Sequence, residues 1–227
     1  MYWQTMFSIG SKLTATYRRA IWQIALHLEE RSMTNRGFVL WLTGLPASGK
    51  TSLAYALQEK LEEEGIKTII IDSDDFREIL TPRPTYTEAE RRWFYEVLAW
   101  LAAWLSQNGI HVIVAATANL HIYRDRAREQ IERFAEVYVK CPLPLCRERD
   151  PKGVYALADS NQSDTVPGIG APYEPPFMPE AEVDMSRLLP TEAADSVLVQ
   201  LHLQKILPGT EQHVFADRLG ALPNHPA

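Results

Sequence analysis

Residues Gly44-Leu45-Pro46-Ala47-Ser48-Gly49-Lys50-Thr51 fit the pattern G-x-x-x-x-G-K-[ST], a Walker A loop. Its glycines let backbone N–H groups turn inward around phosphate oxygens, and the helix that must follow adds partial positive charge at its N-terminus. Lys50 then reaches the β- and γ-phosphates of a nucleoside triphosphate such as ATP, and the Thr51 hydroxyl ligates Mg²⁺. A second cluster, Asp72-Ser73-Asp74-Asp75-Phe76-Arg77, puts three carboxylates beside a forked cation. Carboxylates there support a metal through water, the role read for Asp72, or accept the proton of an attacking hydroxyl, the role read for Asp74. Arg77 suits an anionic acceptor. Ser73 or Asp74 also reads as the cap of a helix running to Leu80, and the two roles coexist. A third cluster, Arg147, Arg149 and Lys152, precedes a long Gly/Pro/Ser-bearing stretch reaching Pro179. Cations on such a segment arrive when it closes, neutralising phosphate charge and excluding water together.

The elements around these clusters follow from hydrophobic periodicity. The continuous apolar run 38–42 predicts a strand covered on both faces. A helix over 52–64 carries Leu53, Leu57 and Leu61 at four-residue steps and ends at Gly65. Strands are expected over 67–71, 110–116 and 135–139, and a helix from Tyr123 to about Arg133. From Thr87 to near Asn108 a long helix bears Trp93, Phe94, Val97, Leu98, Trp100, Leu101, Trp104 and Leu105 as a stripe assigned mostly to the core. Tyr86 precedes the stripe and is the better candidate for stacking on a base. The βαβα alternation implies an α/β fold: a P-loop, three-layer sandwich around a parallel sheet of about five strands, with a mobile lid near 143–179.

Composition narrows the partners. Lys plus Arg total 23 against 29 Asp plus Glu, a net charge of -6, which argues against a nucleic-acid backbone as ligand. Cys141 and Cys146 form neither a disulfide framework nor a zinc-site spacing, so a reducing, cytoplasmic setting is the simplest reading. Over 12–31, Leu13, Tyr17, Ala20, Ile21, Ile24, Ala25 and Leu28 recur at helical steps, while Arg18, Arg19, Glu29 and Glu30 break any membrane span. That segment reads as an amphipathic helix that docks on a membrane surface or partner, or packs on its own domain, or as a leader preceding a start at Met33. The expected parse is an extension over 1–36, a P-loop domain over 37–206 and a loose tail over 207–227.

Two phrases carry a more specific resemblance. Tyr138-Val-Lys-Cys-Pro-Leu-Pro-Leu-Cys-Arg-Glu-Arg-Asp-Pro-Lys-Gly-Val-Tyr155 and Gly168-Ile-Gly-Ala-Pro-Tyr-Glu-Pro-Pro176 resemble the lid region of adenylyl-sulfate kinases. With Gly37-Phe-Val-Leu-Trp-Leu-Thr-Gly44 and the Asp72 to Arg77 cluster, the likeness covers about residues 37–205. It implies phosphoryl transfer from ATP, with Mg²⁺, to the 3'-hydroxyl of adenosine 5'-phosphosulfate. It also implies an acceptor site formed by Asp74, Arg77, Tyr86, Arg91, Lys152 and Ile169. Small nucleotides are the expected partners, with homodimer formation left open.

This chain departs from the resembled pattern in two places. Phe94 stands where the family has an acceptor-binding Asn, and Thr117-Ala-Asn-Leu-His-Ile-Tyr-Arg124 lacks the Ser and Pro of the phrase usual after the third strand. Two competing readings therefore stand beside the first. One is a kinase of the same fold acting on a different small anionic hydroxyl acceptor; the other is a catalytically weak ATP-binding scaffold.

Overall fold

Every residue of β1 (Val39–Thr43) is buried, because strands cover both of its edges and helices both of its faces. The computed structural model describes residues 36–159 and 164–207. Around β1 lie β2 (Thr68–Asp72), β3 (His111–Ala115), β4 (Phe134–Lys140) and β5 (Ala181–Asp184), all parallel, in the order β2-β3-β1-β4-β5. Parallel neighbours require crossovers, and helices supply them. Phe38, Leu40 and Leu42 pack with Leu53, Leu57 and Leu61 of α1 (Lys50–Glu63), and with Val197 and Leu201 of the last described helix, Pro190–Leu203. Val39 and Trp41 face the opposite layer, built by the helices Glu88–Gln107 and His121–Gln130. The result is the expected three-layer α/β sandwich.

In chain order the helices after α1 are α2 (Ser73–Leu80), α3 (Glu88–Gln107), α4 (His121–Gln130), α5 (Leu143–Arg149), α6 (Val154–Asp159) and α7 (Pro190–Leu203). Two local expectations need correction. The cap of α2 is Asp72, one residue before the proposed Ser73 or Asp74; its side chain accepts the backbone N–H of Asp74. On α3 the inward face is Arg91, Phe94, Tyr95, Leu98, Ala99, Ala102, Ala103 and Ser106, whereas Trp93, Trp100 and Trp104 are 46%, 60% and 51% exposed. The small residues let α3 approach a sheet face already filled by Trp41, and the indoles turn outward, Trp100 stacking on Trp104.

The lid helices are seated on the phosphate loop. Cys146, Tyr155 and Val166 form a small core with Leu45 and Ala47, and the Tyr155 hydroxyl donates to the Pro46 carbonyl at 3.0 Å. The chain after the lid straps onto the β3–α4 connection. Asn119 donates to Pro172 O, and His121 N to the Glu174 carboxylate. Arg124, 1% exposed, donates to Glu136, Ala118 O and Glu174 O. The two phrases 117–124 and 168–176 are thus one physical unit. Replacing Arg124 by Leu leaves the buried Glu136 carboxylate only the longer Arg128 contact at 3.6 Å among the described residues and removes the donors to Ala118 O and Glu174 O, and an expected loss of about 3 kcal/mol is measurable as a lower urea midpoint.

The helix expected within 12–31, the tail over 208–227 and lid residues 160–163 lie outside the described residues. No described helix is long and apolar enough to cross a membrane.

Candidate functional site

The loop after β1 must turn sharply against β4. A Cβ on Gly44 would lie 2.4 Å from the Val139 carbonyl, so no larger residue fits. Ala47 (φ 58°) and Gly49 (φ 103°) are left-handed, and α1 starts at Lys50. First-turn N–H groups of a helix have no carbonyl of their own, so the loop and α1 together make an anion cradle. Lys50 Nζ donates back to Gly44 O at 3.1 Å and Leu45 O at 2.8 Å. Burial lowers its pKa to about 8, against the opposing pull of Asp74 and Asp72.

β2 delivers the acids. Asp72 is doubly committed: Oδ2 accepts the Thr51 hydroxyl at 2.6 Å, and Oδ1 accepts the Asp74 N–H at 2.9 Å. Asp74, on the first turn of α2, presents Oδ2 to the lid, where Lys152 Nζ lies 2.5 Å away. Desolvation opposes the Lys152 charge, but Asp74 and its acidic neighbours prevail and raise its pKa. Among the described residues no group of three His, Cys, Asp or Glu side chains could hold a metal ion. Thr51 and Asp72 nevertheless offer the hard oxygens that suit Mg²⁺, which takes one or two protein oxygens and completes its shell with phosphates and water.

A cavity of about 660 Å³ runs along the carboxyl edge of the sheet, the customary ligand position in open α/β folds. Pro46, Ala47, Gly49, Lys50, Thr51, Asp72, Asp74, Arg77, Tyr86, Arg91, Arg149 and Lys152 all line it. Gly44, Leu45 and Ser48 are not among its lining residues. Arg149 donates to Met185 O at 2.9 Å, while Arg147 turns outward to Asp159. Ile169 is 42% exposed and is not part of the cavity wall. Arg91 donates to Tyr86 O and Thr165 O, tying the α2–α3 turn to the lid's return strand of chain. Cys146 packs behind the phosphate loop, and burial pushes its thiol up to about 12.

Sequence reasoning missed several wall residues: Met185, Leu188, Leu189 and Pro190 after β5, Tyr95 on α3, Thr117 after β3, and Val166 of the lid core. The signal for the first group was the position just past a strand's carboxyl end.

These features agree with comparisons to known proteins. A family model described as adenylylsulphate kinase matches residues 36–184. A probable adenylyl-sulfate kinase of Pyrococcus abyssi is 40% identical over 162 residues, 71% of this chain and 93% of that protein. An adenylyl-sulfate kinase of Rippkaea orientalis is 38% identical over 66% of this chain and 83% of its own length. The Mycobacterium tuberculosis APS kinase CysC, solved in complex with AMPPNP and APS, superposes with a TM-score of 0.68 at 34% identity, covering 74% of this chain and 98% of that one. A Sinorhizobium meliloti gluconokinase, at 20% identity and a TM-score of 0.52, shares the fold alone. Since the family model spans the phosphate loop, the acid cluster and the lid, and relatives align over most of their own length, this chain belongs to the adenylyl-sulfate kinase family.

Proposed function

We propose that the chain phosphorylates the 3'-hydroxyl of adenosine 5'-phosphosulfate with ATP, releasing ADP and 3'-phosphoadenosine 5'-phosphosulfate. The observation that carries this reading is one continuous cavity joining the phosphate cradle to the acids of β2 and to the Arg77–Tyr86 corner. The cradle N–H groups and Lys50 hold the β- and γ-phosphates, with Lys50 released from Gly44 O and Leu45 O. Thr51 and Asp72 are the residues placed to hold Mg²⁺, which when bound offsets phosphate charge. Arg149 and Lys152 bring lid cations to the cavity, and Arg77 supports the acceptor anion. Asp74 receives the hydroxyl proton as the new P–O bond forms and the bond to ADP breaks. Two free thiols, Cys141 and Cys146, suit the cytoplasm as its compartment.

The test is a coupled assay of ADP formation with and without adenosine 5'-phosphosulfate. Strong acceptor dependence supports the reading. ADP formed only with another anionic alcohol moves the assignment to that acceptor, and tight ATP retention without acceptor-dependent ADP overturns kinase activity.

Lys50 also predicts a pH effect. The ammonium form grips phosphate, yet in the free protein it loses its proton near pH 8. Above that pH ATP binding must recruit a proton, so affinity falls as pH rises. Calorimetric titration with a non-hydrolysable ATP analogue should show binding about thirtyfold weaker at pH ~9.5 than at pH ~7, with proton uptake at the higher pH and a flat profile in Lys50→Met.

A further inference from the structure

Arg77 is a cation held with its donors left over. Its residue is 9% exposed, it lines the cavity, and its Nη2 is buried with no hydrogen-bond partner. Its Nη1 donates a long hydrogen bond to the Glu90 carboxylate at 3.4 Å, the one ion pair it makes among the described residues. That carboxylate is mainly engaged elsewhere, accepting the Thr85 N–H at 2.7 Å, the Thr85 hydroxyl at 2.6 Å and the Tyr86 N–H at 3.2 Å. Beyond that contact the guanidinium is surrounded by rings: Cζ lies 3.9 Å from the Phe94 ring centroid, 4.9 Å from that of Tyr86 and 5.8 Å from that of Tyr95. A ring face stabilises a cation through its quadrupole without consuming an N–H, and the effect is strongest when water is excluded. A carboxylate in the same place would occupy the fork and cancel its charge.

We propose that Phe94, wholly buried on α3, is a positioning residue that fixes the Arg77 guanidinium at the cavity wall, where it serves the anionic group of the acceptor. This rests on the reading of Arg77 as an acceptor ligand. Phe94 is not among the residues that line the cavity, so it acts through Arg77. It edges against Tyr95 at 5.5 Å between centroids, and Glu90 holds the Thr85–Tyr86 turn, which keeps Tyr86 (φ 54°) beside the same guanidinium. The aromatic substitution at this position is therefore part of the acceptor site's construction.

Phe94→Leu removes the ring face but keeps most of the volume, and Phe94→Tyr keeps the face. In Phe94→Leu the KM for adenosine 5'-phosphosulfate should rise about tenfold, with kcat and the KM for ATP within a factor of about three, and Phe94→Tyr should restore it. An unchanged acceptor KM, or equal losses toward both substrates, overturns the proposal. A second readout needs no turnover: the Arg77 side-chain N–H resonance of ¹⁵N-labelled protein, identified by its loss in Arg77→Lys. It should be shifted upfield by the ring in the wild type and in Phe94→Tyr, and return toward that of free arginine in Phe94→Leu. An Arg77 signal that Phe94→Leu leaves unmoved overturns the proposal. A wild type inactive on adenosine 5'-phosphosulfate counts against the function reading, while this resonance still decides the role of Phe94.

Discussion

Replacing Lys50 by Ala should lower turnover by about a thousandfold or more while leaving the fold intact. Phosphoryl transfer offers the protein little covalent chemistry, so charge placed at the transferring group supplies most of the rate. In the phosphate loop, Lys50 is the ammonium that α1 projects into the cavity, 2.8 Å from Leu45 O in the free protein. Arg149 and Lys152 come from the lid and are engaged with Met185 O and Asp74. The position of Lys50 also explains why folding should survive. The ammonium is desolvated enough to drop its pKa to about 8, so its charge is a cost to the folded state at neutral pH. The core beneath α1 is held by Leu53, Leu57 and Leu61. Circular dichroism and a urea midpoint equal to or above that of the wild type, together with lost acceptor-dependent ADP release, is the expected pair of results. Wild-type turnover in Lys50→Ala would remove the phosphate cradle from the mechanism.

The parts legible in the sequence are those whose chemistry is local. A phosphate cradle needs glycines and a lysine at fixed spacing on one strand–loop–helix unit, so 44–51 could be read directly, as could the acids at the end of β2. The fifth strand was harder: Ala-Glu-Val-Asp is four residues long and offers two apolar residues on an edge strand, too short a run for periodicity to mark. With β5 unplaced, Leu188, Leu189 and Pro190 could not be assigned to the cavity wall they form. The face of α3 was misread because size and burial compete. The three tryptophans carry more apolar surface than Ala99, Ala102 and Ala103, but only the alanines fit against a sheet that already holds Trp41. Phe94 is the instructive case. Sequence pattern shows it as core and as a departure from the family's polar residue; only the packed structure shows that its ring faces Arg77.

Asp74→Asn should lower kcat by about a hundredfold to ten-thousandfold with the KM for ATP nearly unchanged. The reason is a division of labour between neighbouring acids. Both oxygens of Asp72 are occupied, one by the Thr51 hydroxyl and one by the Asp74 N–H, so Asp72 serves the phosphate loop and the start of α2. Asp74 has its carboxylate turned into the cavity, with Lys152 as its hydrogen-bonded partner. Lys152 sits on the lid, so the pair couples the lid position to the base. An acceptor hydroxyl that draws Asp74 must share or displace Lys152, and the freed ammonium is then available to the substrate anion. Asn keeps the size and can still accept a hydrogen bond from the hydroxyl, but it cannot take the proton, so the chemical step suffers more than binding. Asp72→Asn should behave differently, weakening ATP as well as slowing turnover, because it disturbs Thr51 and the α2 cap together. Steady-state kinetics varying each substrate separately distinguishes the two variants. A kcat within a factor of about three of wild type in Asp74→Asn, under conditions where product release is shown not to limit the rate, would remove Asp74 as proton acceptor.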